Sequence, residues 1–352
     1  EWLYKGLEKY TFITVRSVIC KVISLIAMLL LIREKSDYLV YGAITVFAGS
    51  APGLINFICV GKYISFKPVG GYNIKRHLKP VMIFFAMSCA TTIYTHLDTV
   101  MLGFMTTDTD VGYYNAAVKI NTVFVILVTS LGAVLMTRDS YYIEQGNFSR
   151  FVDISKKAFY FVLSVSVPLM LYFIIFAKES IIFISGEAFA GSIAPMQIIM
   201  PTLLFIGITN IIGIQMFIPL GKEKVVLLSE IVGAVVDVIV NIILIPRYAS
   251  AGAAAGTTIA EFAVLLVQAV ALRRYFREKD PEFSIIGFLG RLHILYILPA
   301  AALSLAASLW VKMLNLSCFL TLAISSCLFF GIYGIIFWSQ WKKIGIKGIA
   351  KV

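Results

Sequence analysis

The apolar residues of this chain come in blocks of about 20, separated by short polar stretches. A block of that length is what an α-helix needs to cross a hydrocarbon core of about 30 Å. Ten such blocks can be placed along the 352 residues. The predicted spans are residues 12–32, 38–60, 81–105, 113–136, 158–177, 193–220, 225–245, 252–272, 294–314 and 317–338. The pattern therefore predicts an all-α polytopic membrane protein with about ten transmembrane helices.

Two basic stretches divide these spans into groups of two, six and two. Residues 61–80 are basic and contain Pro68, Pro80 and adjacent glycines, which is typical of a cytoplasmic linker. Residues 273–291 are also rich in arginine. We expect residues 1–60 to form one pair of helices, 61–80 a linker and 81–272 a six-helix unit. Residues 273–352 would supply a basic loop, two further helices and a cytoplasmic tail.

The charge content limits the class of protein and its partners. Hydrophobic residues make up 60% of the chain and charged residues 14%, against about 25% charged residues in soluble domains. The net charge of +11 could suggest nucleic acid. However, with both termini in the cytoplasm, 22 of the 30 Lys and Arg residues lie on the inner side and five on the outer side. This asymmetry predicts a multi-pass inner-membrane protein whose basic surface faces anionic lipid, not nucleic acid.

Seven ionisable side chains fall inside the predicted spans. A charge at the bilayer centre costs roughly 3 kcal/mol and normally faces protein or a wet cavity. Several of the seven continue polar stripes at helical spacing, so a polar cavity between two helical bundles would accommodate them. The cations are Arg16, Lys21 and Lys119, and the acids are Asp98, Glu230, Asp237 and Glu261.

Two interpretations stay open for most of these side chains. Asp98 and Lys119 would reach similar depths in an antiparallel hairpin, so they form either a structural ion pair or part of a ligand site. Asp237 and Glu261 lie nearer the midplane without a neighbouring cation in sequence. One of them would bind a coupling H⁺ or Na⁺, or a protonated acid would simply hydrogen-bond two helices. Lys21 and Arg16 are the best candidates for binding an anionic substrate group.

The sequence gives no indication of an enzyme or of a resident cofactor. The three histidines are scattered along the chain, and the five cysteines fall within spans without metal-ligand spacing. We therefore expect no catalytic residues, no metal site and no cofactor apart from a coupling H⁺ or Na⁺.

Four segments carry a resemblance to a known family. They are EWLYKGLEK (1–9), LDTVMLG (97–103) with VGYY (111–114), FISGEAF (183–189), and NIILIPRY (241–248) with GAA (252–254). These resemble polysaccharide-repeat flippases of the multidrug/oligosaccharidyl-lipid/polysaccharide exporter superfamily. The resemblance implies a two-lobe, V-shaped transporter whose first lobe keeps only its last two helices, about four being missing upstream of Glu1. Ala249 occupies a position where the family pattern often has glycine.

The resemblance and the buried cations favour a flippase that moves an undecaprenyl-diphosphate-linked oligosaccharide across the bacterial inner membrane by alternating access. The product would be O-antigen, capsule or exopolysaccharide, and other polysaccharide-assembly proteins would be partners. The three cations would meet the diphosphate or acidic sugars, and the four acids would couple to cations or hold the lobes together. A cation-coupled multidrug or metabolite antiporter remains an alternative, although three buried cations argue against it. A membrane enzyme of glycan assembly is a further alternative, disfavoured by short outer loops without histidine.

Overall fold

The computed structural model describes residues 1–34, 37–65, 67, 70, 74–278, 291–314 and 316–344. Helices make up nearly all of these ranges, and no β-strand occurs within them. The chain divides into two compact units, Glu1–His77 and Leu78–Val352. Part of the predicted linker, most of the basic loop before the last two helices, and the end of the predicted tail lie outside the described residues.

The first unit is built from two long helices. After a short helix α1 (Trp2–Gly6), α2 (Tyr10–Leu31) and α3 (Tyr38–Cys59) pack against each other. The turn between them is closed by Asp37, whose carboxylate accepts hydrogen bonds from two backbone N–H groups at 2.9 and 3.0 Å. A short 3₁₀ helix, Val60–Lys62, follows α3.

The second unit contains most of the remaining helices, several of them broken. In chain order the helices are α4 (Ile74–Met105), α5 (Asp108–Glu144), α6 (Phe148–Ile175), α7 (Ala177–Ser185), a 3₁₀ helix (Glu187–Ser192), α8 (Ile193–Ile199), α9 (Thr202–Thr209), a π-helix (Asn210–Phe217), α10 (Glu223–Arg277), α11 (Arg291–Lys312) and α12 (Cys318–Ile344).

The membrane-length helices account for most of the ten predicted spans. Within the described ranges, seven helices are long and apolar enough to cross a membrane, or eight if a bent pair counts as one span. One of the seven, α10, has 55 residues, which is roughly 80 Å of helix and far more than one crossing needs. Its backbone breaks at Ala249 (φ 47°, ψ −124°), so it supplies two helices. The remaining predicted span, 294–314, lies on α11, whose described apolar part, Ile297–Lys312, is shorter than a full crossing.

The two halves of α10, Glu223–Tyr248 and Ser250–Arg277, form a tight antiparallel hairpin. A Cβ atom added to Gly252 would collide with the backbone of Leu244, so the chain turns back on itself within a few residues of Ala249. Further along the hairpin, Ser229 lies opposite Gln268 and Gly233 opposite Val264. This register brings the polar faces predicted for residues 225–245 and 252–272 together.

Two predicted boundaries differ from the structure. α4 begins at Ile74, seven residues before the predicted span, because the basic residues there are good helix formers although too polar to count as a span. The predicted span 193–220 is not one straight helix. It breaks after Met200, where Pro201 interrupts the helical hydrogen bonds, and the two parts bend by 43°.

The last two helices pack against α6 in the same unit. The Tyr333 hydroxyl donates a hydrogen bond to the Ser164 carbonyl oxygen at 2.7 Å. Lys312 at the end of α11 donates to the Ile175 carbonyl oxygen at 2.6 Å and pairs with Glu179 at 3.2 Å. Among the described membrane-length helices, α6 is the most enclosed: 56% of the residues in its apolar 18-residue stretch are buried.

Candidate functional site

Asp98 on α4 lies at the centre of a hydrogen-bond network that joins α4, α5 and both halves of α10. Only 1% of the residue is exposed. Its Oδ2 accepts hydrogen bonds from the hydroxyls of Tyr114 and Thr257, each at 2.6 Å, and its Oδ1 accepts one from the Asn241 amide at 2.5 Å. Three uncharged donors therefore hold this buried carboxylate.

Asp237 lies one helical turn before Asn241 and presents further oxygen atoms to the same region. It is fully buried, and neither of its carboxylate oxygens receives a hydrogen bond from a described residue. The Oδ1 atom of Asn241 is also buried without a partner. Asp98 and the buried Glu261 both interact electrostatically with Asp237. The structure thus brings Asp98 and Asp237 into one buried region with unpartnered oxygen acceptors, and Glu261 interacts with Asp237 electrostatically, although the described residues contain no group of three acids placed to hold a metal ion together.

A glycine makes this close approach possible. A Cβ atom at Gly256 would overlap the Asn241 side chain, so only glycine lets the two halves of α10 come close enough to place that amide beside Asp98. The Gly252–Gly256 pattern, which the sequence suggests as a helix-packing motif, therefore also positions the site.

The predicted ion pair between Asp98 and Lys119 does not form. Asp98 lies seven residues before the end of α4, and its partner Tyr114 lies six residues after the start of α5. Lys119 lies eleven residues after that start, which places it about 7 Å deeper along the helix than Tyr114. The hairpin thus places Tyr114, and not Lys119, at the depth of Asp98, while a ligand-binding role for Lys119 stays a prediction.

Lys119 instead lines a separate cavity of about 720 Å³. Its side chain is exposed, next to the exposed Asn115 on the preceding turn. Apolar side chains such as Val123 and Phe189 form most of the remaining wall. A single ammonium group in a mostly apolar groove suits an amphiphile with an anionic group.

Glu230, the fourth predicted acid, links α10 to α4 at a different depth along the two helices. It is half-buried, and its carboxylate accepts a hydrogen bond from the Thr91 hydroxyl at 3.3 Å. It lies two turns before Asp237 on the same helix, so it is separated from the Asp98 network along α10.

In the first unit, the two predicted cations of α2 have different surroundings. Arg16 is 5% exposed. Its guanidinium donates to the Pro52 carbonyl oxygen at 2.7 Å and to the Ser17 hydroxyl at 3.3 Å, and lies 3.7 Å from the Glu1 carboxylate. Lys21 is exposed. The charge of Arg16 is therefore largely satisfied within its own unit, whereas the Lys21 ammonium is available.

Sequence reasoning missed two parts of the polar interior. The sequence indicates no role for Tyr114 beyond its place in the VGYY segment. Its distance from the α4–α5 turn nevertheless matches that of Asp98. Asp139 was excluded because the predicted span ended at residue 136, whereas α5 continues to Glu144. Asp139 is fully buried beside Gln215 of the π-helix.

Comparison with known proteins identifies the class of molecule. Two family models match: a polysaccharide biosynthesis protein family over residues 1–137 and the MatE family over residues 83–243. A putative O-antigen transporter of Shigella dysenteriae is 26% identical over 275 residues, covering 77% of this chain and 68% of that protein. One from Escherichia coli (strain K12) is 25% identical over 228 residues, covering 63% and 54%.

Among solved structures, the lipid II flippase MurJ in an inward closed conformation matches with a TM-score of 0.64 and 17% identity. The match covers 94% of this chain and 66% of that one, and it shows a shared all-helical transporter fold. The membrane-length helices and these relatives indicate a multi-pass inner-membrane protein. The resemblance to polysaccharide flippases of the multidrug/oligosaccharidyl-lipid/polysaccharide exporter superfamily, inferred from four short segments, is confirmed.

Proposed function

We propose that this chain belongs to a flippase that moves a lipid-linked oligosaccharide across the inner membrane by alternating access, with both ends of the chain in the cytoplasm. The similarity to two putative O-antigen transporters and the flippase-like fold support this proposal. The observation that carries it is the buried Asp98 network, because an oxygen-rich site between three helices has no evident use in a static bundle.

The proposed substrate is an oligosaccharide on undecaprenyl diphosphate, destined for O-antigen, capsule or exopolysaccharide. Such a molecule combines a long apolar chain with a dianionic linkage, and the groove around Lys119 offers the corresponding apolar wall and cation. Lys21 is exposed on α2 and is the second candidate for contact with the diphosphate. We rank both ahead of Arg16, because the Arg16 guanidinium already has partners within its unit.

The Asp98 network is the proposed site for the coupling cation, H⁺ or Na⁺. A cation could bind here because three buried oxygen atoms receive no hydrogen bond from a described residue. They are both carboxylate oxygens of Asp237 and Oδ1 of Asn241. Hard oxygen ligands suit Na⁺, and a proton on Asp237 would serve the same purpose of removing the repulsion between two carboxylates. Because α4, α5 and α10 meet there, occupancy would favour the arrangement in which these helices are packed together.

Export of surface polysaccharide in a strain lacking its own flippase tests the proposal, with variants made in the complete gene product. Lys119→Gln should reduce export at unchanged protein level, because Lys119 is the one cation among the described residues that line the groove. Lys178→Gln is the matched control, since Lys178 is exposed and lies outside that groove. Equal export by both variants would exclude Lys119 from substrate binding. Drug resistance on expression, with no effect on the glycan, would favour the antiporter instead.

A further inference from the structure

The two halves of α10 end together in a strongly basic cluster on the side away from Ala249. Lys222 precedes the first half, and its ammonium lies 5.9 Å from the centre of the Tyr275 ring. The last turns of the second half carry three arginines, all exposed. Glu278 is the acid that shares this surface. The four cations are Lys222, Arg273, Arg274 and Arg277.

An apolar groove runs from this cluster between the two halves of α10, and we call it the α10 groove. Its cavity of about 580 Å³ is bordered by Lys222 and Arg274 at one end. Leu228, Leu266 and Val270 form its sides, and they are 55%, 49% and 52% exposed. A smaller cavity of about 310 Å³, lined by Val270 and the three arginines, adjoins it through Arg274.

The length of the hairpin sets the depth of the cluster. About 27 residues separate Lys222 or Arg277 from the turn at Ala249, which corresponds to roughly 40 Å of helix. A bilayer with its headgroups is about 40–45 Å thick. The basic cluster therefore lies at headgroup level on the face opposite the turn, and the apolar walls of the groove lie at the level of the acyl chains.

We propose that the α10 groove binds an anionic phospholipid, with its phosphate between Lys222 and Arg274 and one acyl chain along Leu228, Leu266 and Val270. Three net positive charges complement the headgroup, and arginine offers paired N–H donors to phosphate oxygens. Apart from Tyr275 and the charged groups, the lining is apolar. It therefore lacks the hydroxyl and amide groups that would recognise sugars, which favours a bilayer lipid over the transported one. This site is separate from the proposed transport path.

Native mass spectrometry of the full chain, released from detergent with added lipid, tests the assignment. The probes are phosphatidylglycerol and phosphatidylcholine with identical acyl chains. We expect phosphatidylglycerol to bind more tightly than phosphatidylcholine, and the double variant Lys222→Gln/Arg274→Gln to bind it roughly thirtyfold more weakly, given about 1 kcal/mol for each of the two basic residues. Thermal unfolding verifies that the variant is folded.

The matched control is Lys224→Gln/Arg150→Gln, which removes the same charge from exposed positions outside both cavities. It should change binding by less than about twofold, since screened charges outside the groove contribute little. An equal loss in the control would show a diffuse basic surface and overturn the proposal. Equal binding of the two lipids, or displacement of phosphatidylglycerol by equimolar undecaprenyl diphosphate, would also overturn it.

Discussion

The two units of the chain surround a buried charge in opposite ways. In Glu1–His77, the two terminal nitrogens of the Arg16 guanidinium contact a backbone carbonyl, a hydroxyl and the Glu1 carboxylate, and its Nε is buried without an acceptor among the described residues. In Leu78–Val352, the carboxylate of Asp98 is covered by three neutral donors, and the oxygens of a second acid, Asp237, accept no hydrogen bond from a described residue. The first arrangement balances its charge, whereas the second has an excess of acceptors.

This difference separates a structural site from a functional one. Removing one member of a compensated buried pair leaves its partner unsatisfied, so its cost appears as lost stability. A cluster with surplus acceptors is destabilised when no cation is present, so its properties should depend on the ion supplied.

Replacing Asp98 with asparagine should have the largest effect and should eliminate ion dependence. The change removes the carboxylate that the Tyr114, Thr257 and Asn241 side chains hold in place, and with it the charge that would attract a cation. We expect polysaccharide export to fall by more than roughly tenfold, in line with a loss of 1.4 kcal/mol or more in cation binding. The measurement is export at matched protein level, alongside thermal unfolding with and without Na⁺ and across pH.

The wild-type chain should unfold at a temperature that depends on Na⁺ or pH, and the Asp98→Asn variant at one that does not. Arg16→Gln serves as the comparison from the other unit, since it should retain the ion dependence even if it lowers the unfolding temperature. A wild-type chain insensitive to both Na⁺ and pH would remove the coupling role from the cluster.

Gly256→Ala should destabilise the second unit by about 1–3 kcal/mol, because the added methyl group overlaps the Asn241 side chain. Gly331→Ala on α12 is the control, since a methyl group there meets nothing within 4 Å. It should be neutral or stabilise by up to about 1 kcal/mol. Chemical unfolding of the purified protein provides both values. Equal stability of the two variants would mean that the hairpin tolerates a side chain at residue 256 and that the Asn241 amide can be positioned without glycine there.

Arg16→Met and Lys21→Met should separate stability from transport on a single helix. Arg16→Met leaves the Pro52 carbonyl oxygen without its donor and removes the ion pair with Glu1, which costs about 1–3 kcal/mol. Lys21→Met alters an exposed side chain and should change stability by less than about 0.5 kcal/mol. We expect the reverse order for export at matched protein level, with Lys21→Met the more damaging. The same order in both assays would contradict the assignment of Arg16 as structural and Lys21 as functional.

Much of the fold could be predicted because hydrophobic length is a local property. Most of each predicted span is helical where the structure describes it, although the span 193–220 is broken at Pro201, and Ser229 and Gln268 bring polar positions of residues 225–245 and 252–272 together. What could not be predicted depends on exact register between helices. A shift of five residues along α5 separates Lys119 from Tyr114, and hydropathy does not detect it. Likewise, Asp139 was missed because a helix can continue beyond its apolar stretch.

The turns of the two units give the smallest predicted effect. Asp37 closes the α2–α3 turn with side-chain hydrogen bonds, whereas the α10 hairpin turns at Ala249 with φ +47°, a conformation that costs a residue with a Cβ atom about 1–3 kcal/mol. Because glycine adopts it freely, Ala249→Gly should stabilise the second unit by about 1 kcal/mol, less than the full strain since glycine also loses more backbone entropy. Ala255→Gly, in the regular helix six residues later, controls for that entropy and should destabilise by about 0.5–1 kcal/mol. Chemical unfolding of both variants decides the matter: if Ala249→Gly destabilises as much as Ala255→Gly, the hairpin turn stores no strain.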